Sequence, residues 1–171
     1  HTHQVLQDPA YSVLGWLTGA AAAEHRALTA ESIAALAGRG MLDVSLLAYE
    51  LAYLLRGGWV KPARAASCLQ DAASISPLAG WRIVQVLEGI LPALGEVYRG
   101  GALVQLLVQL AGEYGVSIEV PEALRSKMRG QTVLAKSLRA LEKLQPYPTE
   151  LAEQARDQAQ ELLDQHRCAQ P

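Results

Sequence analysis

Histidine and cysteine are the residues best suited to nucleophilic, acid–base or metal chemistry, and in this sequence they are few and scattered. The chain contains four histidines and two cysteines, namely His1, His3, His25, His166, Cys68 and Cys168. They form no CxxC pair and no Cys/His ligand spacing, and the sequence lacks the HExxH, GxSxG, SxxK, GxxxxGK[ST] and GxGxxG motifs. We therefore expect no catalytic residue, no cofactor and no metal ion.

The surroundings of these residues favour structural roles. We expect His25 in a solvated loop, and His166 at a helix end, where positive charge stabilises the exposed carbonyls. Cys68 follows Arg64 by four residues on an apolar helix face. A guanidinium beside a thiol would favour the reactive thiolate, but a small buried hydrophobic residue explains the same position.

Two further patterns have a chemical and a structural interpretation. The pairs Glu150 with Glu153 and Asp157 with Glu161 have the helical spacing of a site for a hard cation, although a solvated helix face explains them equally. The tripeptide Arg-Gly-Gly occurs at 56–58 and at 99–101, and similar tracts bind RNA. Glycine after a basic last turn is typical of helix C-termini. We therefore predict a helix end at the first copy and a loop that enters a helix at the second.

Composition restricts the class of protein. The 171 residues carry a formal charge of −2, with 50% hydrophobic residues, 5% aromatic residues and no Phe. This length allows one domain with a real core, and the charge does not suggest a dedicated nucleic-acid binder. No apolar stretch is long enough to span a membrane, and the cysteine usage predicts a reducing, cytoplasmic location.

The sequence start and the residue usage suggest the origin of the chain. It begins at His1 without an initiator Met, which predicts a piece of a longer protein. Arg outnumbers Lys by 11 to 4 and Asn is absent, a bias typical of GC-rich bacterial genomes.

Apolar residues recur at three and four positions throughout the chain, which predicts an all-α fold. Cap residues and prolines mark the helix starts. The predicted helices begin near Pro9, Thr29, Asp43, Pro62, Pro77, Gly101 and Pro121, after Gly130, and at Thr149. A short helix is expected after Pro121, and the last helix is expected to run from Thr149 to about His166.

The helix starts near residues 9, 43, 77 and 121 recur at intervals of roughly 34, 34 and 44, as in stacked helix pairs. This period predicts a right-handed α-α superhelix of about four hairpins, near 9–40, 43–75, 77–115 and 121–144. Residues 1–8 would be an N-terminal extension, and 148–167 a capping helix with Leu151, Ala155, Leu162 and Leu163 on its apolar side. A closed helical bundle is the alternative, because it needs the same apolar faces.

In paired repeats the second helices line one face, and this predicts a shared, mildly basic groove. The candidate interaction residues are Arg64, Gln70, Arg99, Gln105, Gln109, Lys136, Arg139, Trp59 and Trp81. Exposed Trp and Arg supply a large share of interface energy, although each Trp could instead belong to the core.

The segment from Leu46 to Leu110 resembles bacterial HEAT/armadillo-like helical-repeat proteins. The resemblance rests on runs of Leu and Ala and on a Leu-Pro pair followed by Arg-Gly, at 51–55, 64–69, 86–92 and 98–107. It implies a non-catalytic scaffold that belongs to a longer protein, and it carries over no functional residues.

We therefore expect a scaffold that binds a protein partner and is not an enzyme. Two alternatives stay open at this stage. One is a nucleic-acid-backbone binder or repair-type enzyme on the same fold, which needs Lys and Arg gathered on one face. The other is an architectural spacer.

Overall fold

The computed structural model describes residues 44–169, and every regular element among them is helical. The predicted all-α class is therefore confirmed for this part of the chain. The α-helices are α1 (Val44–Arg56), α2 (Pro62–Ala73), α3 (Pro77–Ile90), α4 (Gly101–Tyr114), α5 (Val133–Glu142) and α6 (Glu150–Ala169). Two 3₁₀ segments, Leu91–Glu96 and Glu122–Lys127, lie after α3 and before α5.

Local capping explains where the helices begin and end. The Ser76 side chain accepts a hydrogen bond from the Ala79 amide at 3.1 Å, and α3 begins at the following proline as predicted. Thr149 caps α6 in the same way, since its hydroxyl accepts from the Ala152 amide at 3.1 Å. Gly115 ends α4 in the left-handed conformation, at φ 66°.

The predicted short helix after Pro121 is wrong in type, because residues 122–127 form a 3₁₀ segment. Leu124 is its one buried side chain, so the segment has no apolar face with which to stabilise an α-helix. The predicted hairpin at 121–144 is therefore a 3₁₀ turn followed by one α-helix.

The helices pack in two rows. In one row α3 lies between α1 and α6, and in the other α4 lies between α2 and α5. The rows are joined because α3 also contacts α2 and α4. Eight of the 14 residues of α3 are buried, which fits a helix with neighbours on several sides.

These contacts do not confirm the predicted superhelix, and residues 44–169 do not show a HEAT or armadillo repeat. A regular array alternates between its two rows, whereas here α4 and the following α-helix, α5, lie in the same row. The chain returns to the other row only with α6. The predicted extension 1–8, the predicted hairpin 9–40 and His25 lie outside the described residues.

The last helix packs on α3 and on the end of α4. Of its predicted apolar stripe only Ala155 is fully buried, and Leu163 is 53% exposed. No helix among the described residues combines the length and apolar composition needed to cross a membrane.

Candidate functional site

A groove with a volume of about 1130 Å³ lies where α2, α4 and α5 begin. The segments that precede these three helices supply most of its wall. The lining residues are Lys61, Pro62, Ala63, Gly95, Val97, Tyr98, Arg99, Gly100, Gly101, Ala102, Gln105, Ser126, Lys127, Arg129, Thr132, Val133 and Leu134.

The charge of the groove is of one sign. Lys61, Arg99, Lys127 and Arg129 line it with four formal positive charges, and no Asp or Glu occurs among the described lining residues. All four side chains are exposed, and none forms an ion pair with another residue of 44–169. Since the whole chain carries −2, this concentration of positive charge is local and will attract anions.

The backbone adds positive potential to the same place. The first amides of a helix lack intrahelical acceptors, and the helix dipole is positive at that end. At the start of α2 and of α4 the preceding residues, Lys61 and Gly100, make no side-chain cap. At the start of α5 the Thr132 hydroxyl accepts from the Ala135 amide at 3.0 Å. Three helix N-termini therefore border a groove whose described lining contains no Asp or Glu. At α4 the amides of residues 102–104 already donate to the carbonyls of Arg99 and Gly100, so the helix dipole is the main contribution there.

Two glycines permit the close approach of α4 and α5. A Cβ at Gly101 would lie 2.5 Å from the Leu134 amide nitrogen, and a Cβ at Gly100 would lie 2.7 Å from the Leu94 carbonyl oxygen. Only residues without a side chain fit both positions. The second Arg-Gly-Gly thus enters a helix, as predicted, and its glycines bring two helix N-termini into contact.

Arg99 is held at the edge of the groove in an unusual backbone conformation. Its φ is 61°, and it is the one non-glycine residue with positive φ among residues 44–169. This region is sterically unfavourable for most side chains. The guanidinium lies over the ring of Tyr98, 5.2 Å from the centroid, and Tyr98 is 81% exposed.

The loop that carries Arg129 is fixed from behind by Arg139. One guanidinium nitrogen of Arg139 donates to the Met128 carbonyl at 2.7 Å and to the Gly130 carbonyl at 2.9 Å. The preceding 3₁₀ segment is tied to α5 by an ion pair between Arg125 and Glu142, with 2.6 Å between the nitrogen and oxygen atoms. The loop thereby keeps the Arg129 backbone at the groove.

The structure brings two of the predicted interaction residues, Arg99 and Gln105, to the groove. The others lie elsewhere or act differently. Arg64, Gln70, Gln109 and Lys136 are exposed outside the lining. Arg139, predicted to contact a ligand, binds the loop carbonyls instead.

The two tryptophans differ in their surroundings. Trp59 is 64% exposed after the end of α1. Trp81 is half-buried against the core, with its ring 5.8 Å from that of Tyr114.

Sequence reasoning missed three of the four groove cations, Lys61, Lys127 and Arg129. The predicted interaction residues were chosen mainly within helices, whereas these three residues lie in the segments that precede α2 and α5. Their positions next to predicted helix boundaries could have identified them. Lys61 directly precedes a proline at a helix start, and Lys127 and Arg129 lie just before Gly130.

The cysteine and acidic residues that could take part in catalysis or metal binding do not form a second site among the described residues. Cys68 is buried, as predicted, and Cys168 is exposed, and neither forms a disulfide. No cluster of three or more His, Cys, Asp or Glu side chains within the described part could hold a metal ion.

Comparisons with protein-family models, with curated proteins and with solved structures find no match.

Proposed function

We propose that this chain is a non-catalytic binding domain whose groove holds an acidic segment of another protein. The observation that supports this most directly is the set of four cationic side chains around a groove whose described lining contains no acid. Complementary charge accelerates the encounter of two partners and fixes their register. A segment with several Asp or Glu residues therefore fits this surface better than a neutral or basic one.

The apolar part of the lining supports a protein ligand over a nucleic acid. Val97, Val133 and Leu134 line the same groove as the cations, and an apolar lining suits a segment in which aliphatic side chains accompany acidic ones. Tyr98 is the one aromatic residue in the described lining. Proteins that bind single-stranded nucleic acid stack successive bases on several aromatic rings, and this groove offers one ring.

In this proposal the two rows of helices are a scaffold that fixes the groove. A superhelical continuation of these rows stays a prediction. Cytoplasmic location is part of the same proposal, and the exposed thiol of Cys168 supports it, because free exposed thiols suit a reducing compartment.

The test is a titration of the purified protein with a fluorescently labelled peptide of alternating Glu and Leu, followed by anisotropy. A peptide of the same length with Gln in place of Glu is the ligand control. The double variant Lys127→Ala/Arg129→Ala should weaken binding by about tenfold, because two charge-assisted contacts are lost. The matched double variant Arg156→Ala/Arg167→Ala removes the same net charge from exposed positions on α6 and should change affinity less than about twofold.

Three results would contradict the proposal. An equal loss in the two double variants would mean that net charge, and not the groove, attracts the peptide. Displacement of the peptide by a single-stranded RNA at lower concentration than by unlabelled peptide would favour the nucleic-acid alternative. A Glu peptide that binds no better than the Gln peptide would mean that the charge of the groove does not select its ligand, and the architectural spacer is favoured if neither peptide binds.

A further inference from the structure

We infer that the groove recognises a phosphate monoester, so that it binds an acidic protein segment most tightly when the segment carries phosphoserine or phosphothreonine. This inference rests on the proposed function and names the chemical group that the groove prefers. Four positive charges without an acidic neighbour in the described lining attract a dianion more strongly than a monoanion at any one position of the segment. A phosphate monoester carries nearly twice the charge of a carboxylate and three strong acceptor oxygens.

The backbone of the groove suits a group with several oxygens. The N-termini of α4 and α5 touch, because a Cβ at Gly101 would lie 2.5 Å from the Leu134 amide nitrogen. Gly100 and Gly101 line the groove although they are buried, and Gly100 supplies no side-chain cap to α4. Helix N-termini carry positive potential, and the attraction of an anion to that potential grows with the charge of the anion.

The two arginines supply directional donors beside these amides. A guanidinium presents two parallel N–H groups to phosphate, which an ammonium cannot do. The Arg99 guanidinium is held over the Tyr98 ring, 5.2 Å from its centroid, and the backbone beside Arg129 is fixed by Arg139 through the carbonyls of Met128 and Gly130. Anchored donors lose less conformational entropy when a ligand binds.

Lys61 and Lys127 add two ammonium groups to the same lining. Acidic residues that flank the phosphorylated position would meet these two lysines. Phosphorylation of the partner would thus act as a switch, which raises affinity for a segment that the groove binds weakly without it.

The test compares three peptides of identical acidic and apolar flanks that differ at one central position, which is Ser, phosphoserine or Glu. We expect phosphoserine to bind at least about tenfold tighter than Ser and about fivefold tighter than Glu. Lowering the pH from about 7.5 to about 5.5 should weaken binding of the phosphoserine peptide more than that of the Glu peptide, because the phosphate loses part of its charge near pH 6.

The variant Arg129→Lys separates charge from geometry. It keeps the positive charge but removes the paired N–H donors. We expect it to abolish most of the preference for phosphoserine over Glu, measured as the ratio of the two dissociation constants. Arg156→Lys, on α6 and outside the groove, should leave the preference unchanged.

The outcomes distinguish this inference from the function on which it rests. If the Ser peptide binds and phosphoserine and Glu are equal, the inference is overturned and the proposed function stands. If none of the three peptides binds, the proposed function fails as well. If a single-stranded RNA displaces the phosphoserine peptide at lower concentration than the unlabelled peptide does, the ligand is a phosphodiester backbone and the inference is overturned.

Discussion

At the residue scale, Arg99 combines a structural cost with a position at the groove. A non-glycine residue at φ 61° costs about 1 to 2 kcal/mol relative to an ordinary backbone conformation. Glycine could occupy this position without that strain, and the next two residues are already glycines. Arginine at this position therefore lowers the stability of the fold relative to glycine, and its place at the groove suits it to bind a ligand.

The variant Arg99→Gly should therefore separate stability from binding. Relief of strain opposes the greater chain entropy of glycine in the unfolded state, so the free energy of unfolding should stay equal or rise by up to about 1 kcal/mol. Affinity for the Glu peptide should fall by about threefold, because one of the four groove cations is lost. Urea unfolding and peptide anisotropy measure the two quantities.

The other Arg-Gly-Gly copy provides the control for this variant. Arg56 is the last residue of α1 and lies outside the groove lining. Arg56→Gly should lower stability by about 0.5 to 1 kcal/mol, since glycine is a poor helix former, and should leave peptide affinity unchanged. A loss of stability in Arg99→Gly greater than that in Arg56→Gly would contradict the account of Arg99.

Tyr114 is a buried residue of the core whose ionisation affects stability. It is 2% exposed, and its hydroxyl donates to the Pro77 carbonyl at 2.6 Å. Burial, and secondarily the charge of Glu113, raises its pKa from 10.0 to about 12. The unfolded chain therefore loses this proton before the folded chain does. The stabilisation is complete below pH 10 and is lost as the pH rises toward 12.

The variant Tyr114→Phe tests this dependence. At neutral pH it should unfold more easily by about 1 to 2 kcal/mol, because the Pro77 carbonyl loses its donor. Between about pH 10 and 12 its stability should fall less steeply than that of the original protein. Urea unfolding across this range measures both effects, and parallel pH curves for the two proteins would show that Tyr114 is not protected in the fold.

At the element scale, the contact between α4 and α5 determines whether the groove exists. The variant Gly101→Ala would place a Cβ 2.5 Å from the Leu134 amide nitrogen and 2.9 Å from its Cα. These are backbone atoms, so the two helices must separate, and we expect a loss of about 2 kcal/mol in the free energy of unfolding. Chemical denaturation measures this loss.

A second glycine of the same helix gives the opposite expectation. A Cβ at Gly112 would have its nearest neighbour, Leu144 Cδ2, at 4.0 Å. Gly112→Ala should therefore stabilise the protein by about 0.5 to 1 kcal/mol through helix propensity. If Gly101→Ala were as stable as Gly112→Ala, α4 and α5 would not approach each other as described.

Capping residues and prolines in the sequence predicted where helices begin and end, but the sequence did not predict which helices pack against each other. The starts of α2, α3 and α4 follow from Pro62, Ser76-Pro77 and Gly100-Gly101, because capping depends on neighbouring residues. The row to which α6 belongs does not follow from its sequence, since its apolar stripe fits any complementary face. The predicted helix at residues 122–127 is a 3₁₀ segment for a related reason, because one buried leucine does not determine whether a short helical segment is α or 3₁₀.

At the scale of the whole molecule, the groove depends on contacts between segments far apart in the chain. Residue 61, residue 99 and residues 127–129 come together only after α2, α4 and α5 have packed. A groove from this set of helices was predicted, but the prediction chose residues along helix faces. The groove lies at the helix N-termini, and helical periodicity carries no information about how termini of different helices meet.

The central claim is that an acidic protein segment binds where these three N-termini meet. Amide chemical-shift mapping of the labelled protein, titrated with the Glu peptide, tests it most directly. We predict that the largest shifts fall in residues 61–63, 95–105 and 126–134, with little change along α6. Shifts concentrated on α6 or around Trp59, or absent from the start of α4, would contradict the claim.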